Sequence, residues 1–260
     1  MTWKDSNRYK RILREAEIGH YGVIAVIAYN IEQIVGFVRA AETARSPLIL
    51  QLFPWAIEVT DGLLVRAAAE AAKRASVPIS VHLDHAQSEA IIKHAAELPF
   101  DSIMVDMSHY DKETNLKKTR ELVQYCNERE KATEAEPGHE FINTGVDVLA
   151  PAFGNVHGEY GPRGPHLDFE RFEMVRARAN GRVNLAIHGT NGFAPELIKR
   201  CVVAGVTKIN VNRLVLDDYY DHLRENVGKM SHTQLIEEGI QKVTDLTIRW
   251  MEICGSAGKA

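Results

Sequence analysis

The stretch TDGLLVRAAAEAAKRASVPISVHLDHA, residues 60–86, decides the fold class of this chain. Residues 60–76 are rich in alanine and place apolar side chains at helical spacing, which predicts an amphipathic helix. Residues 78–84 follow almost at once and alternate apolar with polar side chains, which predicts a β-strand. A helix that leads directly into such a strand is typical of a parallel β-α-β arrangement.

Similar apolar runs recur along the whole chain, with helical patterns between most of them. Eight candidate strands in 260 residues predict a single (β/α)8 TIM barrel domain over residues 1–260. A doubly wound sheet is the alternative, but its glycine-rich first turn is missing from AYNIEQ, residues 28–33. The runs cover residues 22–29, 47–53, 78–84, 102–107, 147–154, 184–189 and 208–212, with a weaker one, TEAEP, at 133–137.

One interval is too short for this architecture. Parallel strands need a crossover of about a dozen residues or more, and fewer separate residue 137 from residue 147. The sequence EFINTGVD, residues 140–147, reads as the end of a helix followed by a strand, yet no helix start precedes it. We therefore predict that a segment is missing near residues 138–139, either deleted or left out of the numbered chain.

Composition excludes several classes of protein. A net charge of −4 gives no support to nucleic-acid binding, and no apolar run approaches the roughly 20 residues that span a bilayer. The N-terminal residues lack the apolar segment of a signal peptide. Three cysteines without metal-ligand spacing are typical of a reduced protein, so we expect a cytoplasmic location.

Polar side chains alternate along several predicted strands, as His82 and Asp84 do in residues 78–84. In a barrel this polar set would face the interior, close to the carboxyl ends of the strands, where barrel enzymes place their sites. A half-exposed antiparallel sheet would show the same alternation, but the helical spacers argue against it. Lys208 lies on such a face and is the candidate for Schiff-base chemistry.

Three histidines stand at strand ends: His85, His157 and His188. Three imidazoles that converge with an open fourth position form a catalytic zinc site. Asp84 precedes His85, so a regular strand cannot direct both side chains inward, and we expect the chain to turn at His85. A carboxylate in this position serves either proton transfer or the orientation of an imidazole.

Other histidines, including His94 and His222, lie in helical patterns, and we expect them to be solvated. Gly158, Gly189 and Gly192 follow the sixth and seventh runs. Glycines there allow backbone N–H groups to bind a phosphate, or serve only as turns.

These residues resemble the class II, metal-dependent fructose-bisphosphate aldolases and their ketose-bisphosphate relatives. The resemblance rests on HLDHA (82–86) with FDSIMVDMSHYDKETN (100–115), on AFGNVHGEY (152–160), on AIHGTNG (186–192) and on GVTKINVN (205–212). These motifs stand in the family's order. The similarity extends from about Tyr21 to the last helices.

The resemblance implies a (β/α)8 barrel with Zn²⁺ as cofactor and a phosphorylated ketose as substrate. It assigns proton exchange with the substrate C4 hydroxyl to Asp84. It implies a second or alternative metal position at Asp106 and Glu136, and a monovalent cation, Na⁺ or K⁺, at the backbone oxygens of Val156, Gly158 and Gly189. The implied zinc ligands are His85, His157 and His188, and the implied substrate contacts are Asn30, Gly158, Gly189, Asn191, Asn210 and Asn212.

The chain also departs from the family pattern. The family's loop after strand five carries a glutamate that exchanges the enediolate carbon proton, and this loop coincides with the short interval near residues 138–139. Thr190–Asn191 replaces the usual Gly-Ser, and Asn212 replaces a frequent Asp. These changes leave the identity of the sugar open. With three histidines present, we interpret Lys208 as structural or electrostatic.

The function that the sequence predicts is zinc-dependent cleavage of fructose 1,6-bisphosphate to dihydroxyacetone phosphate and glyceraldehyde 3-phosphate. A tagatose-bisphosphate or other ketose-phosphate aldolase, and a non-catalytic barrel that binds sugar phosphate, are the alternatives. We expect a homo-oligomer, a dimer or tetramer, with the helical region 232–255 as a candidate interface. From there, Arg249 could contact the distal phosphate of a neighbouring subunit's substrate.

Overall fold

The computed structural model describes residues 2–136 and 138–260. Within these residues, eight parallel strands pair in sequence order, and β8 returns to β1 to close the barrel. This confirms the (β/α)8 barrel and all eight predicted runs, although the last residue of the weak run, Pro137, lies outside the described residues. The strands are β1 Val23–Ile27, β2 Leu48–Leu52, β3 Ile79–Ala86, β4 Ser102–Val105, β5 Ala132–Ala135, β6 Val148–Leu149, β7 Asn184–Ile187 and β8 Val206–Val211.

Helices separate most of the strands and cover the barrel. None of the described helices is long and apolar enough to cross a membrane. The helices are α1 Trp3–Ser6, α2 Arg8–Gly19, α3 Ile31–Ala44, α4 Pro54–Thr60, α5 Leu63–Arg74, α6 Glu89–Ala96, α7 Lys112–Asn127, α8 Phe169–Ala179, α9 Pro195–Ala204, α10 Arg213–Asn226 and α11 His232–Cys254.

The hydrophobic core has two parts. The larger part lies between the outward-facing strand residues and the surrounding helices. The smaller part lies under α2, whose Tyr9, Ile12 and Leu13 pack on strand residues such as Ala25. Burying apolar surface on both sides of the strands explains their near-continuous apolar character. Helix α2 therefore covers one end of the barrel and leaves the other end for the site.

The connection between β5 and β6 differs from the other crossovers. Among its described residues it contains a single 3-10 helix, His139–Thr144, and no α-helix. This helix contacts α7 and α8, the helices on either side of it in the sequence. The short interval recognised in the sequence is thus the place where a crossover helix is absent from the described chain.

Candidate metal centre and active site

A cavity opens at the carboxyl ends of the strands, where barrel enzymes place their sites. The strands β1, β2, β3, β7 and β8 contribute residues from their ends or from the turns that follow, and the loop after β6 contributes the rest. The cavity is lined by Ile27, Phe53, Asp84, His85, His157, Gly158, His188, Gly189, Thr190, Asn191, Asn210, Val211 and Asn212.

His85 reaches this cavity through a break in the regularity of β3. Its backbone is left-handed, with φ +49°, and the pairing of β3 with β4 shifts register between Leu83 and Ala86. An extra residue of this kind re-aims a side chain. The strand does not end at His85, as the sequence predicts, but continues to Ala86. A bulge at His85 takes the place of the predicted turn and lets both Asp84 and His85 contribute to the site.

The ring of His85 is held by one nitrogen. Its Nδ1 lies 3.0 Å from Oδ2 of Asp106, which leaves Nε2 for another partner. Burial lowers the pKa of His85, but the charge of Asp84 and the hydrogen bond to Asp106 outweigh it and raise the pKa to about 9. A carboxylate on the far nitrogen is the usual support of a metal-binding imidazole.

His188 ends β7 and is 1% exposed. Its Nε2 lies 2.7 Å from Oε1 of Glu134, whereas its Nδ1 is buried and has no hydrogen-bond partner in the described chain. A buried polar atom without a partner is costly. The free Nδ1 of a histidine held from behind by a carboxylate is suited to a metal.

The three predicted ligand histidines come together. The ring centroid of His85 lies 4.8 Å from that of His157 and 5.3 Å from that of His188, and the rings of His157 and His188 are 5.7 Å apart. Donor atoms of these histidines and of Glu136 all lie within 4.8 Å of one another. Nitrogen ligands with a carboxylate beside them suit Zn²⁺, so the residues present fit the metal that the sequence predicts.

The two carboxylates predicted for a second metal position occupy different places. Glu136 belongs to the histidine cluster, and burial raises its pKa. Asp106 lies behind His85 and accepts hydrogen bonds from Gln87 and from Ser108. Burial opposes ionisation of Asp106, but the hydrogen bonds from His85 and Ser108 hold its pKa well below the usual range. The structure thus places Asp106 as a support of His85.

Asp84 is 1% exposed, and amides hold it from two strands. Gln51 donates its Nε2 to Oδ2 at 3.1 Å, and Asn210 donates its Nδ2 at 3.3 Å. Burial raises the pKa of Asp84, but His85, His188 and Lys208 outweigh it and lower the pKa below its ordinary value. Asp84 is therefore an oriented carboxylate that is ready to accept a proton.

Lys208 is fully buried, and its ammonium group is held by Glu134 and Asn210. Its Nζ lies 3.0 and 2.9 Å from the two carboxylate oxygens of Glu134 and donates to Oδ1 of Asn210 at 2.8 Å. A Schiff base needs a neutral, accessible amine, whereas this ammonium group donates hydrogen bonds to Glu134 and Asn210 and does not line the cavity. The geometry agrees with the structural interpretation of Lys208.

Glu134, in the weak fifth run, is a site residue that the sequence analysis missed. It accepts a hydrogen bond from the hydroxyl of Tyr9 at 2.6 Å and contacts His188 and Lys208. Burial opposes its ionisation, but Lys208 and the hydrogen bond from His188 hold its pKa well below the usual range. The alternation of Glu134 with Glu136 in TEAEP was the available signal, because residues two apart on a strand share a face.

His82 also faces the barrel interior, as its alternation predicts. It stacks on Tyr9 with 5.2 Å between ring centroids, and its Nδ1 lies 2.7 Å from the Ser102 hydroxyl. Burial and the charge of Lys208 lower its pKa to about 3, so the ring is neutral. The expectation that His222 is solvated is wrong: it is 5% exposed, because α10 packs on α11.

The glycine-containing turns form the wall beside His157 and His188. Gly158 and Gly189 have φ angles of +104° and +67°, and a Cβ atom on Gly189 would overlap the carbonyl oxygen of Val156. The close approach of these two turns requires glycine at residue 189. Asn191 lines the same wall.

The predicted asparagine contacts divide into two groups. Asn210 and Asn212 line the cavity, and Asn212 donates to the hydroxyl of Tyr29 at 2.9 Å. Asn30 is not among the lining residues, since its side chain caps α3 by accepting from the Gln33 N–H and donates to the Tyr219 hydroxyl.

Comparison with known proteins places this chain in a family. The profile of the family described as "Fructose-bisphosphate aldolase class-II" matches residues 7–140 and 139–259. The chain belongs to the class-II fructose-bisphosphate aldolase family. A fructose-bisphosphate aldolase from Geobacillus stearothermophilus is 31% identical over 283 positions, which cover 96% of this chain and 97% of the relative.

A Coccidioides immitis protein provisionally named fructose-bisphosphate aldolase is 45% identical over 288 positions, which cover 98% of this chain and 95% of the relative. A crystal structure from Coccidioides immitis, provisionally described as a fructose-1,6-bisphosphate aldolase, has a TM-score of 0.95 at 46% identity and covers 98% of both chains. The structure of the YdjI aldolase from Escherichia coli K12 has a TM-score of 0.90 at 31% identity, over 97% of this chain and 98% of that chain. An aldolase lyase is the activity class that these relatives support.

Proposed function

We propose that this aldolase depends on Zn²⁺ and cleaves fructose 1,6-bisphosphate, or a related ketose phosphate, reversibly to dihydroxyacetone phosphate and an aldehyde. For fructose 1,6-bisphosphate the aldehyde is glyceraldehyde 3-phosphate, which would place the enzyme in glycolysis. One observation carries the proposal: the partnerless Nδ1 of His188 converges with two other histidines beside the ionised Asp84.

His85, His157 and His188 are the proposed zinc ligands, with Glu136 as an alternative carboxylate donor. When bound, Zn²⁺ supplies a Lewis acid that draws charge from the ketone oxygen and so stabilises the enediolate. Asp106 and Glu134 fix the orientations of His85 and His188 from behind.

Asp84 is the proposed base of the cleavage step. It takes the proton of the substrate C4 hydroxyl as the bond between C3 and C4 breaks, and returns it in the synthetic direction. Gln51 and Asn210 keep the carboxylate directed at this position. The buried ammonium of Lys208 favours the ionised form that accepts the proton.

The proposed phosphate site of the dihydroxyacetone-phosphate half lies at Gly158, Gly189 and Asn191, whose turns line the cavity. Asn210 and Asn212 contact the sugar, with Asn30 as a more distant substrate contact. The carbonyl oxygens of Val156, Gly158 and Gly189 remain candidates for a monovalent cation, Na⁺ or K⁺.

We also propose that residues are missing between β5 and β6, near residues 138–139. Two findings support this. The family profile matches the chain as two segments that meet at residues 139–140, and the alignments with both relatives are longer than the 260-residue chain. The mass of the protein purified from its source tests the proposal. A mass equal to that of the printed sequence, together with full turnover, would contradict it.

The decisive experiment measures triose phosphate release with and without a chelator. We expect cleavage to stop in EDTA and to return with Zn²⁺. His188→Ala, combined with Glu136→Gln so that no carboxylate replaces the lost ligand, should lose stoichiometric zinc and activity, because two imidazoles and water hold zinc poorly. His94→Ala, on the exposed side of α6, is the matched control and should keep both. Full zinc content in this combined variant would disprove the ligand set.

The missing segment favours a second candidate function, in which the barrel binds a sugar phosphate without cleaving it. In that case the protein of native length would bind the sugar and release no triose phosphate. Among the catalytic alternatives, a comparison of fructose bisphosphate with tagatose bisphosphate as substrates shows which of these two epimers the enzyme prefers.

Two properties of the whole protein stay proposals. We propose a homo-oligomer, a dimer or tetramer, with α11 as part of the interface, and light scattering at several concentrations tests it. We propose a cytoplasmic location, which is supported by three buried cysteines that form no disulfide.

A further inference from the structure

The wall of the cavity opposite the glycine turns is apolar. Phe53 follows β2 and Ile27 ends β1, and both line the cavity. Tyr29 packs behind Phe53 with 6.3 Å between ring centroids, and Trp55 packs edge-on against Tyr29 at 6.3 Å. The cavity thus has a polar side at the β6 and β7 turns and an aromatic side at β1 and β2.

Asp84 fixes which half of the substrate meets the aromatic side. Its carboxylate is hydrogen-bonded to Gln51 of β2, the strand that leads directly into Phe53. The atom that gives its proton to Asp84 is the oxygen on C4, which belongs to the aldehyde product. The aldehyde half therefore extends from Asp84 along the aromatic wall, away from the glycine turns.

A phosphate on the aldehyde half would find no cation on this wall. None of the described residues that line the cavity is a lysine or arginine. The ammonium of Lys208 lies beneath the cavity and is paired with Glu134. Arg213, in the first turn of α10, is engaged by Glu159 and Asp217.

The nearby start of α3 offers no substitute for a cation. Asn30 already accepts the N–H of Gln33, and the first turn carries the acidic Glu32. A negative charge near a helix N-terminus disfavours a second anion there. A dianionic phosphate placed against Phe53 would lose its hydration without gaining a partner.

We propose that the natural aldehyde partner carries no phosphate, so that the substrate is a ketose 1-phosphate with an uncharged far end. This inference rests on the proposed function and narrows its substrate. In cleavage the bond between C3 and C4 breaks and its electron pair stays on C3. The proton on the C4 oxygen passes to Asp84 as the aldehyde carbonyl forms. A proton from solvent then converts the C3 centre to dihydroxyacetone phosphate, and Asp84 releases the proton it had accepted to solvent.

The test compares fructose 1-phosphate with fructose 1,6-bisphosphate on the zinc-loaded, full-length protein. We expect kcat/KM for the monophosphate to equal or exceed that for the bisphosphate. A preference for the bisphosphate of tenfold or more would overturn the inference. If Arg249→Gln then removed that preference, Arg249 would be identified as the cation that binds the second phosphate of the bisphosphate.

A charge added to the wall gives an independent result. Phe53→Arg should shift the ratio of kcat/KM toward the bisphosphate by at least tenfold. Val59→Arg adds the same charge to α4 at a position that is 62% exposed and outside the cavity lining, and should leave the ratio unchanged. Equal shifts in both variants, or none in Phe53→Arg, would contradict the inference.

Calorimetry measures the dissociation constants of fructose 1-phosphate and fructose 1,6-bisphosphate. Their ratio tests the inference independently of whether the protein cleaves either sugar, and so keeps it separate from the proposed function. A protein that binds the monophosphate at least as tightly but cleaves neither sugar would refute the proposed aldolase activity and support the apolar wall. A protein that cleaves the bisphosphate preferentially would support the proposed aldolase activity and refute the inference drawn from the apolar wall.

Discussion

The ion pair between Lys208 and Glu134 leads to a prediction about the stability of the barrel. Both side chains are 0% exposed, and the Nζ atom lies 2.9 Å from Oε2 of Glu134. Removing one partner of a buried pair leaves an uncompensated charge and costs about 3–5 kcal/mol. For a chain of this size that cost lowers the melting temperature by roughly 6–20 °C.

We expect Lys208→Met and Glu134→Gln each to show this loss in thermal unfolding followed by circular dichroism. The double variant should recover most of it, because both charges are gone and a neutral replacement of a buried pair is often neutral or stabilising. The measurements are made in EDTA, so that changes in zinc binding do not enter the melting temperature.

Lys93→Met is the matched control. Its ammonium group contacts Glu89 at 2.6 Å, but on the exposed surface of α6, where such pairs contribute little. Its melting temperature should stay close to that of the unchanged protein. An uncompensated buried charge would not explain the loss of stability if the losses of the two single variants simply added in the double variant, or if Lys208→Met melted like Lys93→Met.

Three further predictions follow from the site. Asp84→Asn should keep zinc, measured by atomic absorption, and lose about 10²–10⁴-fold in kcat, the usual contribution of a positioned acid or base; unchanged kcat would remove Asp84 from the proton transfer. Gly189→Ala should weaken dihydroxyacetone phosphate binding in calorimetry far more than Gly192→Ala, because both have positive φ but only the first meets the Val156 carbonyl. The folded-state pKa of His82, about 3, lies below its unfolded value of about 6.5. The neutral ring therefore contributes its full stability above pH 6.5, and the free energy of unfolding decreases by up to about 1.4 kcal/mol for each pH unit below that. In urea unfolding His82→Gln should lose this part of the pH dependence, and an unchanged slope would contradict the buried neutral ring.

The sequence predicted the barrel and the histidine centre because both depend on local patterns. Alternation along residues 78–84 and the helix before them define a strand and its inward face. The rule that barrel sites lie at the carboxyl ends of strands then brings His85, His157 and His188 together without any coordinates. Even the irregular backbone at His85 followed from adjacency, since neighbouring strand residues face opposite ways.

The parts that the sequence did not predict depend on contacts between distant residues. Glu134 lies 74 residues from Lys208 and 125 residues from Tyr9, and no spacing rule connects them. Its run was weak because TEAEP combines two carboxylates with short side chains, which is unusual for a buried strand. The aromatic wall was also missed, because Phe53 reads as the last apolar residue of the run 47–53 until the position of Asp84 indicates which half of the substrate Phe53 faces.

The contacts around Lys208 connect the proposed base to the proposed metal ligand. Lys208 donates to Asn210, whose amide holds Asp84, and to Glu134, whose other contact orients His188. A shift of the ammonium group would therefore move the proton acceptor and one imidazole together. Proton transfer at C4 and charge withdrawal at the ketone must act on one substrate in one geometry. A buried cation shared by the contacts of Asp84 and His188 holds these two side chains in a fixed relative position. Its place between these two groups gives the buried Lys208 a structural reason to lie at the centre of the barrel.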